Sequence, residues 1–219
     1  MKRTLTLTVV AGVFCLLPCR AGAEAVIEGT VQLPKATGAP AARPRYENKT
    51  PEGVGPPEPP VAVVYLEGQF SAGARTNAAP AAQMEQRRFQ FAPGILPVQI
   101  GSTVEFPNHD DAYHNVFSYS KSKRFDLGRY RKDEKPPALV FDKAGAVKLY
   151  CEIHEHMRGT ILVLDTPYFV KTDPAGKYRL AHLPAGKYTL KVWLNDTTTL
   201  ERAVELSDGL TLRADFSGK

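Results

Sequence analysis

Cys151, His154 and Met157 follow one another at three-residue steps in "KLYCEIHEHMRG" (148–159). A thiolate, an imidazole and a thioether are donors of graded softness, and on one short loop they can reach the same ion. A second imidazole is available in "FPNHDDAYHNVFS" (106–118), where His114 opens a strand-like run in phase with Val116. Two histidine nitrogens, one cysteine thiolate and a long axial methionine sulfur make up a blue-copper set: soft sulfurs favour Cu(I), while imidazoles suit both oxidation states. The chemistry open to it is the uptake and release of one electron.

The cysteine count sharpens this reading. Lys2 and Arg3 precede the apolar run "TLTLTVVAGVFCLLP", and "RAGA" supplies the small residues Ala21 and Ala23 before Glu24. That is the layout of a signal peptide over residues 1–23, so export to the periplasm or beyond, with cleavage near Ala23–Glu24, is expected. The run is shorter than the roughly 20 apolar residues a membrane span needs. A lipoprotein would use Cys19, but Pro18 and Arg20 on either side fit that poorly. Cleavage removes Cys15 and Cys19, leaving Cys151 alone, in a compartment where cysteines normally pair. It is then a buried small hydrophobe or a reactive or metal-bound thiolate. Loss of Lys2, Arg3 and Arg20 also takes the formal charge from +5 to +2. No basic stripe interleaved with aromatics remains to read nucleic acid.

These donors need strands to hold them. "AVIEGTVQL" (25–33), "VAVVYLEG" (61–68), "STVEF" (102–106), "NVFSYS" (115–120), "ALVFD" (138–142), "AVKLYCEI" (146–153) and "TILVLD" (160–165) are short alternating runs bounded by Gly, Pro, Asn or Asp. They predict an all-β chain. In "AVKLYCEI" a period of two places Val147, Leu149, Cys151 and Ile153 on one face, with His154 one step beyond, where the chain must turn. Residues 34–60 are dense in Pro, Gly and Ala and read as an extended loop. An Ala-rich polar stretch, 71–83, follows. Near the C-terminus "PAGKYRL" (174–180) and "PAGKYTL" (184–190) echo each other, two turns each leading into a strand. "TLKVWLN" then buries Trp193 or Val192 according to register. Residues 166–219 are few for a core of their own, so the N-terminal strands 25–33 and 61–68 are expected to share their sandwich.

Residues 82–165 resemble the cupredoxins of the plastocyanin, amicyanin and pseudoazurin group. The likeness rests on Cys151-x2-His154-x2-Met157, on "HNVF" from His114, and on the upstream Phe91, Pro93, Val98 and "GSTVEFPN" (101–108). It implies one type 1 copper held by His114, Cys151, His154 and Met157, with Asn115 hydrogen-bonding across to the cysteine loop to fix the thiolate. It also implies electron exchange through a His154 edge ringed by apolar residues. "TDPAGKYRLAHLPAGKYTLKVW" resembles a carboxypeptidase regulatory-like, transthyretin-like β-sandwich. Chains combining the two are often labelled methylamine-utilisation proteins, but no residue here reports that substrate. The architecture implied is a cupredoxin Greek-key sandwich (82–165) inserted in or flanked by a second sandwich built from 24–70 and 166–219.

The function this favours is a non-enzymatic electron carrier between redox proteins, such as a c-type cytochrome or a periplasmic dehydrogenase. A copper chaperone is the alternative, although beyond the signal only Met84 and Met157 are available as thioethers. An oxidase or nitrite reductase needs further histidine clusters, and His109, His156 and His182 are scattered. A two-copper centre lacks its second cysteine. A zinc hydrolase lacks a well-placed carboxylate base, and a structural module with a vestigial site is the blandest reading. His109 reads as a solvated turn residue, His156 as pointing outward, and His182 as surface. The basic run 121–137 reads as an exposed hairpin that could steer a partner.

Overall fold

The computed structural model describes residues 24–34, 54–70 and 81–217. The signal segment, most of the Pro-rich loop and residues 71–80 lie outside them. The described residues form seventeen strands and no helix. In chain order these are β1 (Ala25–Thr30), β2 (Val63–Glu67), β3 (Ala82–Gln83), β4 (Glu85–Arg87), β5 (Gln90–Ala92) and β6 (Ile95–Gln99). There follow β7 (Ser102–Glu105), β8 (His114–Tyr119), β9 (Arg124–Tyr130), β10 (Ala138–Phe141), β11 (Gly145–Tyr150) and β12 (Arg158–Leu164). The last are β13 (Phe169–Lys171), β14 (Lys177–Leu183), β15 (Gly186–Asn195), β16 (Thr198–Leu206) and β17 (Thr211–Arg213). The chain is all-β, as its alternating runs predict.

A five-stranded sheet in the order β6-β12-β11-β8-β9 faces a three-stranded sheet, β10-β7-β3, with the hairpin β4-β5 beside them. Their inner faces enclose Phe91, Val104, Phe106, Val116, Phe141, Val147, Leu149 and Ile161. Each such side chain contributes about 1.5–3 kcal/mol when fully buried. The alternation in β11 holds as far as Tyr150 and then fails: Cys151 is buried, but Ile153 is exposed. The strand has ended by then, so the period of two no longer governs where Ile153 points. The Ala-rich stretch also corrects in part, since Ala82–Gln83 pairs parallel to β7 as an edge strand.

The remaining strands form two further sheets, β14-β1-β17 and β13-β2-β15-β16. Their shared core holds Ile27, Val64, Leu66, Leu180, Leu190 and Val192. Both echoed turns need glycine, for a positive φ and for close approach. Gly176 has φ +81°, and a Cβ there would lie 2.0 Å from the Val31 carbonyl oxygen. Gly186 has φ +151°, and its Cβ would meet the Tyr188 hydroxyl at 2.7 Å.

Trp193 and Val192 are both buried, where the sequence suggested one or the other. Val192 faces its own sandwich core, and Trp193 faces out of it against Leu162 and Leu164 of β12, with Val63. Strand β12 is correspondingly buried on both faces, Ile161 and Val163 inward and Leu162 and Leu164 toward the joint. Lys148 Nζ, 2.7 Å from Asp196 Oδ2 and 5.8 Å from the Trp193 ring centroid, closes the rim of this joint.

Candidate metal centre

His114 is the first residue of β8, fully buried, and paired with Tyr130 of β9. The loop before it is shaped by Asn108. Asn108 Oδ1 accepts from the Asp110 backbone N–H (2.9 Å), an Asx turn, while its Nδ2 donates to Ala112 O (2.9 Å) and Tyr130 O (3.0 Å). That turn brings the Asp110 carboxylate back toward the strand, and His114 donates from Nε2 to Asp110 Oδ2 at 2.9 Å. With Nε2 bonded to Asp110, Nδ1 is the ring nitrogen turned toward His154 and Cys151.

Cys151 lies one residue past β11 and is buried. The chain then turns: Met157 N–H donates to His154 O at 2.9 Å, and Arg158 resumes as β12. This turn carries the His154 ring back over the sheet end. His114 Nδ1 and His154 Nδ1 are 3.1 Å apart, and Cys151 Sγ is 3.9 Å from His154 Nδ1. The three donor atoms lie within 4.8 Å of one another. An ion taking nitrogen at about 2.0–2.1 Å and thiolate sulfur at about 2.3 Å holds such donors roughly 3–4 Å apart. The spacing and chemistry of the set therefore fit a single metal ion. Met157 is buried in the same apolar cluster as Cys151.

The surroundings shift Cys151 toward the thiolate and His114 toward the protonated ring. Burial pushes the Cys151 thiol up, but hydrogen bonds from His114 and from the backbone N–H groups of Asn115, His154 and Ile153 outweigh it and hold it below its ordinary value. Burial likewise lowers His114, but hydrogen bonds to Cys151 and Asp110 raise it on balance. His154 is pushed down to about 4, by burial and then by the neighbouring His114 and His156. It is neutral at neutral pH and free to donate a lone pair.

Asn115 reaches the cysteine through its backbone N–H. Its side chain turns away, with Nδ2 donating to Asp126 Oδ1 (2.8 Å) and Gly128 O (3.1 Å) across the β8–β9 hairpin. Its Oδ1 is buried without a hydrogen-bond partner among the described residues. The other histidines are elsewhere. His109 is exposed, 3.7 Å from Glu85 Oε2. His182 pairs on the surface with Glu24. His156 donates from Nε2 to Phe89 O at 3.1 Å, so it is tied to the β4–β5 turn.

Phe89, Asp110 and Asn108 are the residues that motif reading passes over. The Phe89 ring meets His154 edge-on at 5.0 Å and His114 at 5.5 Å between centroids. It sits with Arg88 at the β4–β5 tip, at φ +57° and +54°. Two-residue hairpin turns of that hand ordinarily take Asn-Gly or Asp-Gly. A non-glycine residue held there costs about 1–3 kcal/mol. Asp110 had a legible signal, a carboxylate four residues before a candidate ligand. Phe89 had none.

No family model matches the sequence, and no curated protein does. Among solved structures, the chain is similar to a Cu-containing nitrite reductase from Thermus scotoductus SA-01, at 24% identity over 43% of this chain and a TM-score of 0.37. It spans 25% of the length of that protein. It is also similar to a Cu(I) amicyanin variant, at 21% identity over 46% of this chain and 98% of that one, with a TM-score of 0.36. A third is a purple cupredoxin from Nitrosopumilus maritimus, at 24% identity over 38% of this chain and 99% of that one, with a TM-score of 0.34. Each likeness covers less than half of this chain.

Proposed function

We propose that this protein is an exported type 1 copper protein that passes single electrons between redox partners, with His114, Cys151, His154 and Met157 holding one copper. The observation that carries the reading is the convergence of two histidine Nδ1 atoms and one buried thiol at the end of a β-sandwich. Bound there, copper would supply a one-electron couple, its potential tuned by the Met157 thioether and by burial of the thiolate. The chain's own part is to keep the donors in place through both oxidation states. Asp110 fixes the His114 ring, the Asn108 turn fixes Asp110, and three backbone N–H groups hold the sulfur. Outer hydrogen bonds of this kind set ligand orientation and basicity.

In this reading residues 82–165 are the copper unit, inserted between the 24–70 and 166–219 parts of the second sandwich, which resembles a regulatory-like domain. The partners are redox proteins such as a c-type cytochrome or a periplasmic dehydrogenase, and the protein is not itself an enzyme. Among the described residues, no helix is long and apolar enough to cross a membrane.

The test is spectroscopic. Copper-loaded, oxidised protein should bind one copper per chain and show an intense thiolate-to-copper charge-transfer band. Cys151→Ala should abolish the band, while His156→Ala and His109→Ala leave it. Loss of the band in His156→Ala with retention in His154→Ala would overturn the ligand assignment.

A further inference from the structure

The β4–β5 tip is held from every side. The Arg88 N–H donates to Asp110 Oδ1 at 2.7 Å and the Phe89 N–H to Asp110 Oδ2 at 2.9 Å. Arg88 O accepts from Gly55 N–H at 3.0 Å, and Phe89 O accepts from His156 Nε2 at 3.1 Å. All four backbone polar groups of the two tip residues are thus bonded outside their own hairpin. An unfavourable backbone conformation persists only where its surroundings over-determine it, and such places cluster at functional sites. The side chain this tip presents is the phenyl ring lying edge-on over both histidines.

Part of the grip comes from the second sandwich. Residues 54–60 run as a strap from the start of β2 to the hairpin. Gln90 Nε2 donates to Gly55 O and, at 3.1 Å, to Pro56 O, and Gly94 N–H donates to Glu58 Oε2 at 2.7 Å. At its other end the strap is anchored where Ala62 and Thr172 exchange hydrogen bonds of 3.0 and 2.9 Å.

We propose that Phe89 is the access-determining residue of the centre, a fixed cap that keeps small anions and solvent off the two histidines and the thiolate. Asp110 and the strap hold it in place. This rests on the metal-site reading of His114, Cys151 and His154. It goes further by giving the strap, and through it the second sandwich, a task at the site: confining the centre to electron exchange without direct ligand binding.

The test uses the full chain. In metal-free protein, the rate at which iodoacetamide alkylates Cys151 is measured for wild type, Phe89→Gly, Phe89→Leu and Gln90→Ala. In copper-loaded protein, azide binding is followed by its own charge-transfer band. Phe89→Gly should raise the alkylation rate about tenfold or more, since thiol reactivity follows access to the thiolate. It should also admit azide, with only a small change in thermal midpoint, since relief of the positive φ offsets lost ring contacts and the extra freedom of unfolded glycine. Phe89→Leu should stay near wild type, and Gln90→Ala should fall between. Alkylation within about twofold of wild type in both Phe89→Gly and Gln90→Ala, with azide still excluded, would overturn the cap, because an opened site must expose its thiolate. The two claims fail separately. A wild type without affinity for copper, beside a Phe89→Gly protein with an exposed thiol, leaves the cap and removes the metal reading. A wild type with the copper band and an indifferent Phe89 does the reverse.

Discussion

At the scale of single residues, the candidate ligands were legible because three of them lie within seven positions and carry their chemistry in their side chains. Cys151 and His154 need only a turn to bring Sγ within 3.9 Å of Nδ1, and that turn is closed by the Met157 N–H to His154 O hydrogen bond. What was not legible is what surrounds them. Asn115 was expected to act on the cysteine loop; its backbone does so, while its amide serves the neighbouring hairpin. Side-chain direction depends on the β8–β9 register, which carries an irregularity between Asn115 and Phe117 that no local pattern announces.

The depressed histidine makes a pH prediction at this same scale. In the folded, metal-free protein His154 titrates at about 4, below the 6.5 of the free side chain. Between those values the unfolded chain binds more protons than the folded one, so stability falls as pH drops from 6.5 toward about 4. His114, raised above its ordinary value by Cys151 and Asp110, works the other way: its contribution is present at low pH and lost as pH rises through its raised value. Comparing urea midpoints of metal-free wild type and His154→Gln at pH 7 and pH 4.5 separates the two. Wild type should lose more stability on acidification than the variant. Parallel losses would contradict the assignment of a low-titrating His154.

At the scale of elements, strand existence was readable from alternation and strand ends were not. β11 ends at Tyr150, though the apolar pattern continues to Ile153, because the chain must leave the sheet to carry His154 over its end. β15 and β12 confused a one-faced reading for a different reason: both bury two faces, one in a sandwich core and one in the joint. The β4–β5 hairpin escaped pattern reading altogether, since Arg-Phe is not a pair that favours positive φ. That gives an element-level prediction. Arg88 is exposed at φ +54°, and among the described residues its side chain makes no ion pair. Arg88→Gly should therefore stabilise the metal-free protein by up to about 1 kcal/mol, the left-handed cost less the extra freedom of unfolded glycine. Thermal unfolding followed by circular dichroism checks it, and a clear drop in midpoint would show that the tip is unstrained.

At the scale of the whole molecule, the centre is an internal end of one sandwich braced by another. Leu162, Leu164 and Trp193 pack the joint, and the 54–60 strap reaches from the second sandwich to the Phe89 tip. The proposed carrier depends on this bracing, because donors that do not move between oxidation states make electron exchange fast and copper loss slow. The most direct test is voltammetry of the copper-loaded full chain, with copper content measured before and after cycling in the presence of an apoprotein acceptor. Rapid, reversible one-electron cycling with copper retained is the expected result. Met157→Leu is expected to keep its copper and to show a higher reduction potential, since losing the thioether sulfur disfavours Cu(II) more than Cu(I). Sluggish or irreversible redox chemistry, with copper handed to the acceptor, would contradict the carrier reading and make the protein a chaperone.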